Sequence, residues 1–441
     1  MSNSYKKAIE YIYNLNKYGI KLGLKNITYL LSLFDNPHLQ TKTIHVAGTN
    51  GKGSTAAIIS SILQAANYKV GLYTSPHLVY FQERMMINGE FIAKEEVCTL
   101  LERMKPAIYK VANTEGYQHP TFFEVITTMA FLYFYEQNVD FSIMEVGLGG
   151  RLDATNVCKP IVSVITHLDF DHMDRLGNTL SDIAREKGAI IKQNTAVVSA
   201  KQFPEAEEVI KNIASEKEAP LYTYGENFQT TLLRSELKGN LFHYTGIYNQ
   251  LNNIYVPLAG EYQVENTSLA IAVAELINHK DFMISEDNII NGVKNSQWPG
   301  RFEIVREEPM IILDGAHNPN GASQFIFNLK RLIPDKKIIA ILGVFQDKDY
   351  PAIVKIIVPQ VNQLILTMAN NPRATPTEIL AKEASQYISK EKIIETNTVP
   401  EAIREALRIA QEKEVICITG SLYTVGEAKA YFLKKGSRKE N

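Results

Sequence analysis

The chain is short of cysteine, of long apolar runs and of any excess of one charge. Its 441 residues include only 3 cysteines, Cys98, Cys158 and Cys417. They stand far apart, so neither a disulfide framework nor a cysteine-ligated metal is expected, and a reducing compartment suits them. No apolar run approaches the roughly 20 residues that cross a bilayer. Residues 1–20 carry Lys6, Lys7, Glu10 and Lys17 among aromatic and aliphatic side chains. That mixture predicts an amphipathic surface helix, not a signal core. A cytoplasmic protein with no membrane partner is expected. Lys and Arg total 46 against 48 Asp and Glu, a net charge of -2, which provides no field for binding nucleic acid. There is no internal repeat and no low-complexity tract. With 45% hydrophobic and 21% charged residues the chain can bury sizeable cores, and at roughly 100–200 residues per domain it has room for two to four.

Short β-rich runs alternate with helical segments. Strands are predicted at 43–46, 68–74, 141–146 and 161–166, and helices at 54–66 and 122–133. Phe122, Val125, Ile126, Met129, Ala130 and Tyr133 form the apolar stripe of that second helix. The strands at 141–146 and 161–166 are apolar runs entering polar loops, which points to a mostly parallel sheet covered on both faces. Residues 222–258 lack helical periodicity and predict an antiparallel excursion, followed by a helix over 262–277. After the turn-rich break Trp298-Pro299-Gly300-Arg301 the alternation restarts. Strands are expected at 310–313, 337–342, 363–367, 392–395 and 415–419, with a last helix near 427–434. The boundary falls near Gln297, which divides the chain into 1–297 and 298–441 and leaves a cleft between two α/β domains as the natural ligand site.

The segment Gly48-Thr49-Asn50-Gly51-Lys52-Gly53-Ser54 follows the first strand and opens a helix. Such a loop curls backbone N–H groups around phosphate at a helix N-terminus, with Lys52 reaching the outer phosphates. It departs from the full P-loop pattern: Val46 stands where a glycine is usual, and Gly53 replaces the Ser/Thr that binds Mg²⁺. The metal then needs oxygen ligands elsewhere. Ser75, Glu145 and His172 all lie at or just past strand ends, which gather on one sheet edge. Taken singly, Ser75 is equally a turn hydroxyl, Glu145 a strand-end ion pair and His172 a hydrogen-bonded loop histidine, and nitrogen is an unusual donor to Mg²⁺. A second glycine-rich loop, Gly147 to Asn156, lets the backbone approach a ligand.

Several segments occur together and in order: Gly48–Ser54, Thr74-Ser75-Pro76-His77-Leu78, the run from Glu145 to Asn156, Leu168 to His172 and Ala184-Arg185-Glu186-Lys187. Trp298-Pro299-Gly300-Arg301-Phe302-Glu303 and Asp314-Gly315-Ala316-His317-Asn318-Pro319 complete the set. Together they resemble the folylpolyglutamate synthase/dihydrofolate synthase family of the Mur ligase superfamily. Only residues 1–47 precede the phosphate loop, where cell-wall Mur ligases usually carry a further domain, and this favours the folate branch.

The resemblance implies an α/β fold, with a P-loop Mur-ligase-like central domain and a smaller Rossmann-like C-terminal domain. It implies an ATP-dependent ligase that joins L-glutamate to a folate (tetrahydrofolate, and dihydropteroate as well) through an acyl phosphate. A monofunctional folylpolyglutamate synthase and a P-loop phosphotransferase or NTPase are the alternatives. ATP and Mg²⁺ are the implied cofactors, small molecules the partners and a monomer the state. Asn50, Gly51, Lys52, Gly53 and Ser54 would hold phosphates, and Asn266, Arg301 and Asp314 the rest of ATP. Ser75, Glu145 and His172 match metal ligands. Lys187 matches a lysine that is carbamylated to hold a second Mg²⁺; otherwise it is a helix-surface lysine paired with a neighbouring glutamate. His317 matches a residue near the reacting phosphate, or else a capping histidine. On the folate side stand Pro76, His77, Arg84, Phe123, Glu124, Asp153 and Ala154, and Ser421 resembles a glutamate-side residue.

Overall fold

Eight strands form the first sheet: β1 (Lys42–Ala47), β2 (Val70–Tyr73), β3 (Met85–Ile87), β4 (Glu90–Phe91), β5 (Phe141–Glu145), β6 (Pro160–Ile165), β7 (Ala196–Ser199) and β8 (Leu221–Thr223). This computed structural model describes residues 3–19, 21, 23–280 and 282–436. The ends of the helix expected over 1–20, and residues 437–441 of the expected second unit, lie outside the described residues. The strand order is β4-β3-β2-β5-β1-β6-β7-β8. From β2 to β8 every pairing is parallel, and β3 and β4 add an antiparallel edge. β1, whose end carries the phosphate loop, sits between β5 and β6 with helices over both faces. Burial on both faces is why its neighbours are mostly apolar, broken only by the small buried Ser142 and Ser163.

The antiparallel excursion is smaller than the sequence suggests. β8 joins the main sheet beside β7, and only β9 (Gln229–Glu236), β10 (Gly239–Thr245) and β11 (Gln250–Val256) form the separate three-stranded sheet. Phe242, Tyr244, Leu251 and Ile254 of that sheet share a core with the helix Tyr262–Asn278. This helix is apolar on nearly every face because it has packed layers on several sides. Its one buried acid, Glu275, is fully engaged. It accepts hydrogen bonds from Tyr244 Oη (2.7 Å) and from the amides of Ile247, Tyr248 and Asn249 at 3.0, 3.2 and 2.8 Å, which pins the turn between β10 and β11.

The second lobe holds β12 (Glu303–Arg306), β13 (Met310–Leu313), β14 (Lys337–Leu342), β15 (Gln363–Leu366), β16 (Ile393–Glu395) and β17 (Glu414–Thr419). Their order is β12-β13-β17-β14-β15-β16, parallel except for the edge strand β12. The sheet is therefore mixed. β12 was not expected, nor were β3, β4 and β7, nor the helix Lys94–Ala112. The last helix starts earlier than the sequence suggests, at Leu422.

Helix Lys52–Ala65 packs closely on helix Glu286–Lys294. Ser61 Oγ donates to the Gly292 carbonyl at 2.7 Å. A Cβ on Gly292 would lie 2.3 Å from the Ile62 Cα, which is backbone and has no rotamer to change. Gly292→Ala is expected to force these helices apart and cost about 1–3 kcal/mol, measured by urea unfolding. Wild-type stability would show that the contact yields freely.

Candidate active site

β1 turns through Gly48 to Gly51 into the helix Lys52–Ala65. Gly51 has a φ of +90°, and a Cβ there would stand 2.3 Å from Asn266 Oδ1. Asn266 thus lies directly against the phosphate loop, held by its own bond to Gln263 (3.0 Å). Trp298 lies against Gly53 so closely that a Cβ on that glycine would stand 2.6 Å from the indole.

Two lysines meet at this loop. Lys52 Nζ donates to the carbonyls of Gly48 and Thr49, both at 3.0 Å, and Lys187 Nζ donates to Gly48 O at 2.9 Å. Burial lowers the pKa of Lys52 despite the pull of Glu145 and Asp171. Lys187 falls to about 7, first through burial and then through Lys52. Lys187 is not a surface lysine paired with its neighbour; Glu186 is bound instead to Arg151 at 2.8 Å. Glu145 ends β5 and accepts the Ser75 amide at 3.1 Å. Burial raises its pKa, against the opposing effect of Lys52.

The second lobe closes the other side. Asp314 accepts the amides of Phe302 (2.8 Å) and Ala316 (2.9 Å), and burial raises its pKa. His317 Nδ1 lies 2.8 Å from Gly315 O, and burial keeps its pKa near 4. Helix Pro319–Leu332 is capped by Asn318 and not by His317. Asn318 Nδ2 reaches Asn50 Oδ1 at 3.0 Å, and Asn50 Nδ2 reaches Asn320 Oδ1 at 3.0 Å, so the phosphate loop is bonded across the lobes. Asp171 lies 2.6 Å from Lys348 and 3.7 Å from His317. Burial alone would raise the Asp171 pKa, but the charges of His317, Lys348 and His172 together hold it well below the ordinary range. His172 adopts a left-handed backbone, and burial brings its pKa down to about 4.

The result is a cleft of about 730 Å³. It brings together the loop 48–54, Ser75, Pro76, Glu145, His172, Lys187, Asn266, Arg301, Asp314 and His317, all expected from sequence. Phe203, Tyr224 and Phe325 add an aromatic wall that was not anticipated. Beside it lies a more apolar slot of about 270 Å³, sharing Gly53, Ser75, Pro76, Glu145, Arg301 and Leu422 with the cleft and adding His77, Met86 and Trp298.

Other expected ligand contacts are already occupied within the protein. Glu124 forms a capping box: its carboxylate accepts Thr121 N (2.7 Å) and Thr121 Oγ1 (2.9 Å) at the start of helix Phe122–Glu136. Asp153 accepts the amides of Gly147 (3.1 Å), Leu148 (2.8 Å) and Thr155 (3.0 Å), so it shapes the second glycine loop. Ala154 is buried beside it. Phe123 packs on Gly147 and edge-on to Tyr73. Arg84 is buried, donates to His77 Nδ1 at 2.8 Å and lies over the Phe122 ring. Ser421 Oγ accepts Thr424 N at 3.0 Å, which caps the last helix. None of these six side chains lines either cavity. A helix start or a tight loop needs an acceptor, and that local need competed with the ligand role.

A phosphate loop facing a second α/β lobe, with buried lysines and carboxylates between, fits a nucleotide-dependent ligase whose site lies between two lobes. Residues 93–274 match the Mur ligase middle domain, and residues 300–422 match the Mur ligase glutamate ligase domain. A dihydrofolate synthase/folylpolyglutamate synthase of Bacillus subtilis is 36% identical over 435 residues, covering 97% of this chain and 99% of the relative. The structure of Mycobacterium tuberculosis folylpolyglutamate synthase complexed with ADP and AMPPCP superposes with a TM-score of 0.90 at 30% identity, covering 98% of this chain and 99% of that one. Escherichia coli FolC in complex with DHPP and ADP gives 0.88 at 29%, with 98% and 99% covered. The chain belongs to the dihydrofolate synthase/folylpolyglutamate synthase family of Mur ligases, and it is an ATP-dependent ligase. No described helix is long and apolar enough to cross a membrane.

Lys52→Ala is expected to weaken binding of a non-hydrolysable ATP analogue by about tenfold to a hundredfold, the worth of a charged hydrogen bond, read by calorimetry. The melting temperature should hold, because the variant removes a buried charge. Unchanged affinity would place the phosphates elsewhere.

Proposed function

We propose that this chain joins L-glutamate to a folate at the expense of ATP, acting on both dihydropteroate and tetrahydrofolate. The observation that carries this reading is the meeting of Lys52, Glu145 and Lys187 with Arg301, Asp314 and His317 in one cleft. A carboxylate is a poor acyl donor. One of its oxygens attacks the γ-phosphorus of ATP, ADP leaves, and an acyl phosphate remains. The glutamate nitrogen then attacks the acyl carbon, and phosphate leaves from the tetrahedral adduct. Both steps bring anions together, so fixed positive charge is the main requirement. Lys52, the backbone N–H groups of 51–54 and Arg301 provide it; the Asn50 amide is already bonded to the His167 carbonyl. Asp314 suits a ribose hydroxyl, and Asn266 carries the nucleotide where it leaves the loop. His317, neutral near pH 7, can take the proton that the attacking amine releases.

Ser75 and Glu145 offer the oxygen donors that Mg²⁺ favours, and a cation would relieve the buried Glu145. These two fit the ion, with His172 as a third ligand. Among the described residues no group of three His, Cys, Asp or Glu side chains gathers as a metal site by itself, so phosphate oxygens would complete the shell. Bound there, Mg²⁺ would screen the charge of the phosphates. With a pKa of about 7, Lys187 has a large uncharged fraction. That free amine can add to CO₂ and lose a proton, which gives a carbamate able to hold a second Mg²⁺.

For the acid's ring system we assign the slot lined by Pro76, His77 and Trp298, with Arg84 behind His77. Phe123, Glu124, Asp153 and Ala154 would act from behind the Gly147 loop in the wall of the larger cleft, and Ser421 through the start of the last helix. The division into 1–297 and 298–441 is supported by the change of sheet on either side. A monomer is the state that the family resemblance implies. The balanced net charge argues against a nucleic-acid partner, and three free thiols suit the cytoplasm.

The deciding assay supplies ATP, Mg²⁺ and glutamate with either dihydropteroate or tetrahydrofolate. Glutamate-dependent ADP release is expected with both. Release without glutamate would instead mark a phosphotransferase or NTPase. Lys187→Ala should lose at least about 100-fold in kcat, and added formate or acetate should restore part of it. A fully active alanine variant would exclude the carbamate.

A further inference from the structure

Lys348 has no counterpart among the residues that the motifs single out, yet among the described residues it makes the most deeply buried ion pair between the lobes; the other lysine or arginine pair across them, Arg331 with Glu261, is far more exposed. It sits in a fixed turn after β14, where its amide binds Phe345 O (3.2 Å) and its carbonyl accepts Tyr350 N (2.7 Å). Its ammonium donates to Asp171 Oδ1 at 2.6 Å and stands 3.1 Å from His172 Nε2. The two paired side chains are only 8% and 10% exposed. Asp171 is also approached by Asn318 Nδ2 at 3.5 Å and by His317 Nε2 at 3.7 Å. Asn318 in turn bonds Asn50 of the phosphate loop. Lys348 itself is not part of the cleft wall, whereas Asp171, His172 and His317 are.

We propose that Lys348 is a positioning residue, a cross-lobe clasp on Asp171 that sets His172 and the phosphate loop of the first lobe against His317 of the second. The proposal rests on the ligase reading only in that turnover needs the two lobes in register. A reaction between two bound partners is acutely sensitive to such register, because a misplacement of about 1 Å costs on the order of 100-fold. Nucleotide binding draws on the phosphate loop of the first lobe as well as on Arg301 and Asp314 of the second, but a bound ligand tolerates loose register better than two reacting groups do and should respond far less.

The test compares wild type, Lys348→Met, Lys348→Arg and the double variant Lys348→Met/Asp171→Asn, which leaves no lone buried charge. Each is measured for kcat, for the KM of glutamate, for calorimetric affinity toward a non-hydrolysable ATP analogue with Mg²⁺, and for radius of gyration by small-angle scattering without ligand. Lys348→Met should lose at least about 50-fold in kcat, raise the KM for glutamate, enlarge the radius of gyration, and change nucleotide affinity by less than about fivefold. Lys348→Arg should keep most of the turnover, since it restores the ion pair. If Lys348→Met does not fold, the double variant serves in its place with the same expectations.

Wild-type kcat and dimensions in the methionine or double variant would overturn the clasp. A loss of nucleotide affinity as large as the loss of turnover would also overturn it, because Lys348 would then act inside the site. Should the wild type turn over no folate at all, the ligase reading fails, while scattering and nucleotide affinity still decide the fate of the clasp.

Discussion

The carbonyl of Gly48 accepts hydrogen bonds from two buried ammonium groups, Lys52 and Lys187. Like charges held this close, away from water, repel each other and have lost hydration, and both pKa values are lowered. Such an arrangement persists only where the surrounding structure imposes it. The central position of β1 fixes the carbonyl, since β5 and β6 flank that strand in parallel register. Lys187 is delivered by the helix Leu180–Gly188, which is fastened to the second glycine loop by the Arg151 amide on Glu186 O (2.8 Å) and by the Arg151–Glu186 ion pair. Glu145 and Asp171 supply part of the countercharge. Loss of the Lys187 proton relieves part of the remaining strain, and a polyanion bound at the loop would relieve the rest, as the proposed phosphate site requires.

Much of the central architecture could be read directly, for a physical reason. Strands buried on both faces are mostly apolar runs, so β1, β5, β6 and the parallel strands of the second lobe were visible. Elements with weaker contrast were missed. β7 is four residues long, β3 and β4 lie within a polar loop, and β12 is an edge strand with no fully buried residue. The helix Lys94–Ala112 contains Pro106, an interior proline that argues against a helix locally and is tolerated here. β8 looked like the start of the antiparallel region because its three residues carry no signal of the parallel partner they find in β7.

The site was legible where a motif carries its own chemistry and obscure where roles depend on contacts across the chain. Lys52, Glu145, Lys187, Asp314 and His317 stand in short segments of recognisable pattern, and all face the cleft. Asp171 lies next to His172 in the same segment, yet its partner Lys348 is 177 residues away, and no local spacing announces such a pair. Glu124 and Asp153 carry a local demand that the motif alone does not announce. A carboxylate beside a glycine loop or a helix start looks available to a ligand, but the unpaired amides of its own backbone claim it first.

The packing of Trp298 on Gly53 has a practical side. The chain contains 1 tryptophan, and its indole rests on the turn that receives phosphate. Ultraviolet emission excited in the red edge of the absorption band therefore originates from a single, structurally defined spot, so the protein carries an intrinsic optical reporter of events at that turn and needs no attached dye.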